Sequence, residues 1–339
     1  MSAVRSREIQ LVARPNGAPQ ASDFALAERE LNEPAAGQIL VRNIYMSVDP
    51  YMRGRMNAGR SYAPPFEIGE PLTGGAVGEV IGSRDPRLPV GSFVLTNFGW
   101  REYALCGGDA AERVDSTLAP LGTFLGALGM PGMTAYVGLF EIGKLRAGET
   151  LFVSSAAGAV GSMAGQLARI RGARVIGSVG SPEKVAFVRE QLGFDAAIDY
   201  HAGDIDGALR RAAPDGIEVY FDNVGGEQLR AAIGALRPFG RIVACGMISQ
   251  YNAPTPGPEN LALIVGKRLT MRGFIVSDHA AMRPVFLQEV ADYVRDGKLR
   301  TPLTIVDGLQ RAPQALIDLV VGGPQVGKLL VRLAPDSSR

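Results

Sequence analysis

Leu151-Phe-Val-Ser-Ser-Ala-Ala-Gly-Ala-Val-Gly161 is the stretch on which the fold turns. Residues 151–154 have the character of a buried strand, a run of small side chains follows, and a helical pattern begins at Val160. Small residues in such a turn let backbone N–H groups approach a pyrophosphate, which then rests on the positive end of the helix. Ala156, Gly158 and Gly161 keep the G-x-G-x-x-G spacing with alanine in first place, and Gly165 lets the helix lie close to its sheet. Glycine spacing alone fits many ordinary strand–helix turns; here the strand and helix that the motif requires stand on either side. Ala157, Gly158, Ala159, Val160 and Gly161 are therefore expected against a dinucleotide.

Downstream, strand and helix patterns alternate. The expected elements are a helix over 160–171, a strand over 174–179, a helix over 182–192 closed by Gly193, and a strand over 197–199. They continue with helices over 204–213 and 227–236, strands over 219–222, 241–244 and 269–275, and a long helix over 280–296 closed by Gly297. Such alternation predicts an α/β, doubly wound parallel sheet of Rossmann type. Upstream, a helix beginning at 133 runs to Gly143, whose position suits a C-cap. The first third reads instead as short strands at 38–44, 74–81, 91–96 and 100–105, with a proline-bearing turn at Asp49-Pro50. That pattern predicts a β-rich, barrel-like domain. Two strand-like pieces in the tail, 303–306 and 328–333, are expected to return to it. The domain expectation is 1–129, 130–300 and a returning segment 301–339.

The end of the second strand discriminates between nucleotides. An NAD site usually places Asp or Glu there for the ribose 2′-OH. This chain has Gly177-Ser-Val-Gly-Ser181, followed by Lys184, which can face a 2′-phosphate while Ser178 and Ser181 donate hydrogen bonds. Ser181-Pro182-Glu183 also reads as N-cap, first helical position and first-turn acid, so Glu183 serves the helix dipole. NADPH is the expected cofactor; the plain alternative for Lys184 is a solvated helix lysine.

Composition narrows the classes. The 339 residues are 46% hydrophobic with a net charge of +1, enough for two cores and without a field to hold a polyanion, so no nucleic acid partner is expected. The N-terminal stretch lacks an apolar h-region, and the most apolar runs are broken by Gly, Ser, Thr or Pro. No membrane association is expected, and the cytoplasm is the expected compartment. Cys106, Cys245, His201 and His279 lie at no metal-ligand spacing and read as packing or surface residues.

Several segments together resemble a family. Met46-Ser-Val-Asp-Pro-Tyr-Met-Arg53, Gly129-Met-Pro-Gly-Met-Thr-Ala-Tyr136 and Ala156-Ala-Gly-Ala-Val-Gly-Ser162 are followed by Val179-Gly-Ser-Pro-Glu-Lys184 and Phe221-Asp-Asn-Val-Gly-Gly226. Cys245-Gly-Met-Ile-Ser-Gln-Tyr-Asn252 and Arg272-Gly-Phe274 complete the order. In this collinear set the chain resembles the prostaglandin/leukotriene reductase and alkenal double-bond reductase branch of the zinc-independent medium-chain dehydrogenases/reductases. The resemblance implies a GroES-like catalytic domain with a Rossmann domain inserted, and a homodimer. It implies that Met130 and Thr134 lie near the nicotinamide and phosphates, Asn223 and Gly246 beside the cofactor, and Phe274 with Val276 near the carboxamide. It further implies that Gly180, Ser181, Lys184 and Tyr200 hold the 2′-phosphate and that Tyr251 faces the substrate carbonyl. Tyr251 and Tyr51 are the candidate catalytic residues, though read by themselves both could be packing aromatics. The family tail reads Gly-x-Asn-x-Gly-Lys; here Gln325 replaces Asn as the candidate cofactor ligand in Gly323-Pro-Gln-Val-Gly-Lys328. Where zinc-dependent relatives carry a cysteine this chain has Ser47, and no histidine precedes His201, so no metal is expected.

Without a metal, hydride addition to an isolated ketone leaves an unsupported alkoxide. Addition to the β-carbon of an enone spreads the charge into an enolate that hydrogen-bond donors can stabilise. The expected activity is NADPH-dependent saturation of enones and enals. A quinone reductase, or a non-catalytic NADPH-binding protein, remains open at this point.

Overall fold

The computed structural model describes residues 4–338. The chain forms two compact units, one from the chain up to Gly126 together with the part from Leu303 onward, the other Ala127–Pro302.

In the first unit, β1 (Val4–Leu11) and β2 (Phe24–Leu31) form an antiparallel ribbon. The sequence reading missed it because polar Ser6 and Glu8 occupy buried positions, at 1% and 2% exposure, and hide the alternation. Glu8 is met there by the Arg29 guanidinium at 3.5 Å. β3 (Gln38–Ser47) is the axis of a seven-stranded sheet. It pairs antiparallel with β4 (Ala76–Ser83), and β5 (Phe93–Thr96) and β7 (Ala111–Val114) extend that side, while β6 (Tyr103–Gly107) also pairs with β3. Strand β6 starts later than expected: Trp100 is buried with a φ of 63° and breaks the extended chain. The turn at Asp49-Pro50 leads into a short helix, α1 (Tyr51–Arg55), seeded by Pro50 at φ −60°.

The second unit opens with α2 (Met130–Val137), whose last turn widens over Gly138–Ile142. Gly143 caps that turn, as its position suggests, with a φ of −77° rather than a left-handed one. Its missing side chain serves packing, because a Cβ would meet Val243 Cγ2 at 2.9 Å. Then follow β8 (Thr150–Val153), α3 (Ala159–Ile170), β9 (Arg174–Val179), α4 (Pro182–Ala186), β10 (Ala196–Asp199) and α5 (Ile205–Ala212). The series continues with β11 (Ile217–Asp222), α6 (Gly226–Ala235), β12 (Leu236–Ala244), α7 (Ala262–Lys267), β13 (Thr270–Gly273) and α8 (Arg283–Arg295). The six strands are parallel in the order β10-β9-β8-β11-β12-β13, with the reversal of strand order next to β8 that makes a topological switch point. Phe152, Ile176, Tyr220 and Ile242 pack from one sheet face against α5 and α6.

Two expected helices are divided. The one over 182–192 is α4 followed by a wider turn at Phe187–Gln191. The one over 280–296 is α8 preceded by a tighter 3-10 segment at Val276–Met282, kinked at His279, with Pro284 in the first turn of α8. The tail adds β14 (Leu303–Asp307) and β15 (Lys328–Arg332) to the first unit's sheet, β15 pairing with β3. Between them α9 (Ala312–Val321), absent from the sequence reading, presses Ala312, Ala315, Leu316 and Val320 into a core with Met46, Met52 and Trp100.

Candidate nucleotide and substrate site

The turn after β8 is built by backbone. Ser155, at φ 52°, reverses the chain after β8, and the Ala156 N–H donates to the Ser178 carbonyl at 3.0 Å, tying the turn to β9. A Cβ on Gly161 would stand 2.2 Å from the Ser155 carbonyl oxygen, so only hydrogen fits there. Gly158 is the N-cap of α3 and brings no side-chain acceptor. The first N–H groups of a twelve-residue helix are thus left for an anion, the requirement of a pyrophosphate. Gly165 makes room for the Phe194 ring, which also covers Gly177 of β9, so the close approach runs through an aromatic spacer.

At the end of β9, Ser181 caps α4: its hydroxyl accepts from the Lys184 N–H at 3.3 Å. The same hydroxyl donates to the Glu183 carboxylate and holds its pKa below the usual range. Lys184 is half-buried, and burial lowers its ammonium pKa. The Tyr200 hydroxyl comes within 3.1 Å of where a Cβ would stand on Gly180. Gly180, Ser181, Lys184 and Tyr200 therefore gather at one corner. Ser178 does not join them: it is fully buried, and its hydroxyl donates to the Gln228 side-chain carbonyl. Its expected role toward a phosphate is corrected.

A second cluster lies at the ends of β11 and β12. Asp222 is fully buried, and one carboxylate oxygen accepts from the Tyr220 hydroxyl at 2.8 Å and from the Val224 and Gly225 N–H groups at 2.9 and 2.8 Å. Burial raises its pKa. Asn223 is clamped between strands: its N–H donates to the Ser154 hydroxyl and its side-chain amide to the Ser154 carbonyl, both at 2.8 Å. The loop after β12 is tied to the same place, with the Gly246 N–H donating to the Asp222 carbonyl at 3.0 Å and the Ile248 N–H to the Asn223 carbonyl at 3.2 Å. That loop carries Tyr251, whose hydroxyl lies 3.3 Å from where a Cβ would stand on Gly246. Asn223, Gly246 and Tyr251 are thus brought together. Ser154, Tyr220 and Asp222, which hold them, were not singled out from sequence; Asp222 adjoins Asn223 in the quoted motif, but its burial is invisible there.

Thr134, buried in α2, donates its hydroxyl to the Met130 carbonyl at 2.7 Å, and Met130 is exposed. Phe274 packs beside Phe221 against Gly138, and Val276 opens the tight turn that follows. In the first unit, Tyr51 is mostly buried, and that burial together with the Asp49 charge raises its hydroxyl pKa well above the ordinary value. Asp49 forms a buried ion pair with Lys328 at 2.8 Å, Lys328 also donates to the Val48 carbonyl at 2.7 Å, and the Ser47 hydroxyl donates to Asp49. Gln325 lies in the loop before β15, its amide oxygen folded back toward Gly323. Among the described residues, no group of three or more His, Cys, Asp or Glu could hold a metal ion, and no helix is long and apolar enough to cross a membrane.

Residues 7–114 match the model described as the N-terminal domain of oxidoreductase, and residues 159–292 the model described as zinc-binding dehydrogenase. The chain is 40% identical to the NADPH-dependent curcumin reductase of Escherichia coli, with 98% of each chain covered. It is 39% identical to the NADP-dependent 2-alkenal reductase of Nicotiana tabacum, again with 98% of each covered. Among solved structures, CurA of Vibrio vulnificus in complex with NADPH is similar at a TM-score of 0.92 and 40% identity, covering 97% of this chain and 99% of the other.

Proposed function

This chain belongs to the medium-chain dehydrogenase/reductase family, in its zinc-independent, curcumin-reductase-like branch, and on that premise we propose that it uses NADPH to saturate the carbon–carbon double bond of α,β-unsaturated ketones and aldehydes. The residues fit the cofactor: a helix start without a side-chain cap, a glycine with room only for hydrogen, and a lysine–tyrosine corner in place of an acidic residue. NADPH, when bound, supplies the hydride. The 157–161 turn holds the pyrophosphate, Lys184 and Tyr200 take the 2′-phosphate, and Asn223, rigid on Ser154, fixes the nicotinamide end. Met130, Thr134, Phe274 and Val276 would line the cofactor in the same reading.

The observation that carries the chemistry is the Tyr251 hydroxyl beside Gly246 at the end of β12. As hydride reaches the β-carbon, charge moves to the carbonyl oxygen, and Tyr251 donates to that oxygen. The α-carbon then takes a proton from solvent or from a tyrosine. A homodimer belongs to the same reading. It is supported by β13, an edge strand exposed at all four residues, with Met271 on it and Val265 nearby in sequence also exposed.

Single turnover of an enone with deuterated NADPH tests the reaction. The expected product keeps its carbonyl and carries deuterium at the β-carbon. An allylic alcohol labelled on the carbonyl carbon overturns the reading. Turnover of quinones without enones would make the protein a quinone reductase, and tight NADPH binding without consumption a non-catalytic binder.

A further inference from the structure

We propose that His201 is a specificity-determining residue: with Lys184 it sets the preference for 2′-phosphorylated nucleotides, by donating from Nε2 to the phosphate. This rests on the reading of Gly180, Lys184 and Tyr200 as the 2′-phosphate corner. The sequence marks His201 as an ordinary surface residue, yet its ring is held on two sides. Nδ1 lies 3.0 Å from the Gly180 carbonyl oxygen, which can only accept, so Nδ1 carries a hydrogen and donates it. The other restraint is the Tyr200 ring, with centroids 4.1 Å apart and planes tilted by 51°. Gly180 leaves room for both: a Cβ there would stand 3.3 Å from His201 Cε1 and 3.1 Å from the Tyr200 hydroxyl.

The charged groups around the ring leave it to a ligand. The Asp199 carboxylate accepts from the His201 backbone N–H at 3.0 Å, capping the turn over Tyr200–Ala202. The Glu183 carboxylate is engaged by the Ser181 hydroxyl. Lys184 contributes a positive charge in the first turn of α4. With Nδ1–H committed, the neutral ring offers a lone pair at Nε2, which phosphate oxygens reject. The imidazolium offers an N–H and a positive charge at Nε2, which match an anionic 2′-phosphate better than a neutral 2′-OH.

The test compares 2′,5′-ADP with 5′-AMP, which differ only in the 2′-phosphate, by calorimetric binding to the full chain. The wild type is expected to prefer 2′,5′-ADP. His201→Ala should lower that preference about three- to tenfold through weaker 2′,5′-ADP binding, as for one partly solvated charge-assisted contact, with 5′-AMP unchanged. His201→Lys should restore it and His201→Gln should not. An unaltered preference in His201→Ala, or equal losses for both ligands, overturns the proposal. If Lys184→Ala removes the preference while His201→Ala leaves it, the His201 proposal fails and the phosphate corner stands. If the wild type has no preference, the corner itself is misassigned and both fall.

Discussion

At Tyr251 a single hydroxyl carries the proposed chemistry. The ring is positioned by a short loop whose backbone is bonded to the Asp222 and Asn223 carbonyls, so Tyr251→Phe should keep the fold and NADPH affinity. The expected loss is in kcat, on the order of ten- to a thousandfold, because a donor to a developing oxyanion matters more in the transition state than in the bound enone. Steady-state kinetics with an enone checks it; an unchanged kcat would remove Tyr251 from the mechanism. Ser178 and Ser181 mark where residue-level reading succeeds and stops. Ser181 precedes Pro182 and Glu183, and its capping role follows from neighbours in sequence. Ser178 differs only in pointing inward from β9 to Gln228, fifty residues away, and its alternation could not be assigned without the sheet.

Helix α3 depends on two glycines for different reasons. Gly161 closes the turn, while Gly165 accepts the face of Phe194, whose Cζ would lie 1.9 Å from an added Cβ. Gly165→Ala gains about 1 kcal/mol of helix propensity but forces a ring wedged against Gly177 out of a 1.9 Å contact, at the upper part of the usual cost, about 2–3 kcal/mol. The expected net effect is a destabilisation of about 1–2 kcal/mol, measured by urea denaturation, and Phe194→Leu in the same chain should recover part of it. A Gly165→Ala protein as stable as wild type would show that the ring is not confined. Helix α9 was legible in principle, with Pro313 in its first turn, apolar residues at helical spacing and Gly322 beyond its end at φ 90°. Strand-like pieces on either side mask it. The division of the expected helix over 280–296 was legible at Pro284, in the first turn of α8, whereas the kink at His279 before it involves no unusual residue.

For the molecule as a whole, the tail matters as much as the motifs. Lys328 is 3% exposed and bound to Asp49, which follows β3. Lys328→Ala should cost about 3–5 kcal/mol by leaving the Asp49 carboxylate buried without a countercharge. Replacing both, as Asp49→Asn with Lys328→Met, should cost less than that single change. Denaturation of that double variant together with Asp49→Asn and Lys328→Met alone forms a double-mutant cycle, and additive effects would show that the pair is not coupled. The proposed dimer is read by light scattering. Wild type at micromolar concentration should have twice the chain mass, and Met271→Asp with Val265→Asp should shift it toward one chain. A monomeric wild type would rule out the dimer.

The sequence by itself determined the doubly wound sheet, the tight small-residue turn after β8 and the return of the tail. Each rests on local patterning, either apolar periodicity or small residues at fixed spacing, or on motifs in collinear order. Only the tertiary structure decided which polar side chains are turned inward. Asp222 collects three donors from residues near it in sequence, but its burial comes from the neighbouring strands. Asp49 and Lys328, far apart in the chain, become neighbours because β15 pairs with β3. His201, ordinary as a letter, is brought to Gly180 because β10 lies parallel to β9 and the two strands end together. Such roles depend on what a side chain meets once strands are in register, and strand order is a property of the whole sheet rather than of any segment.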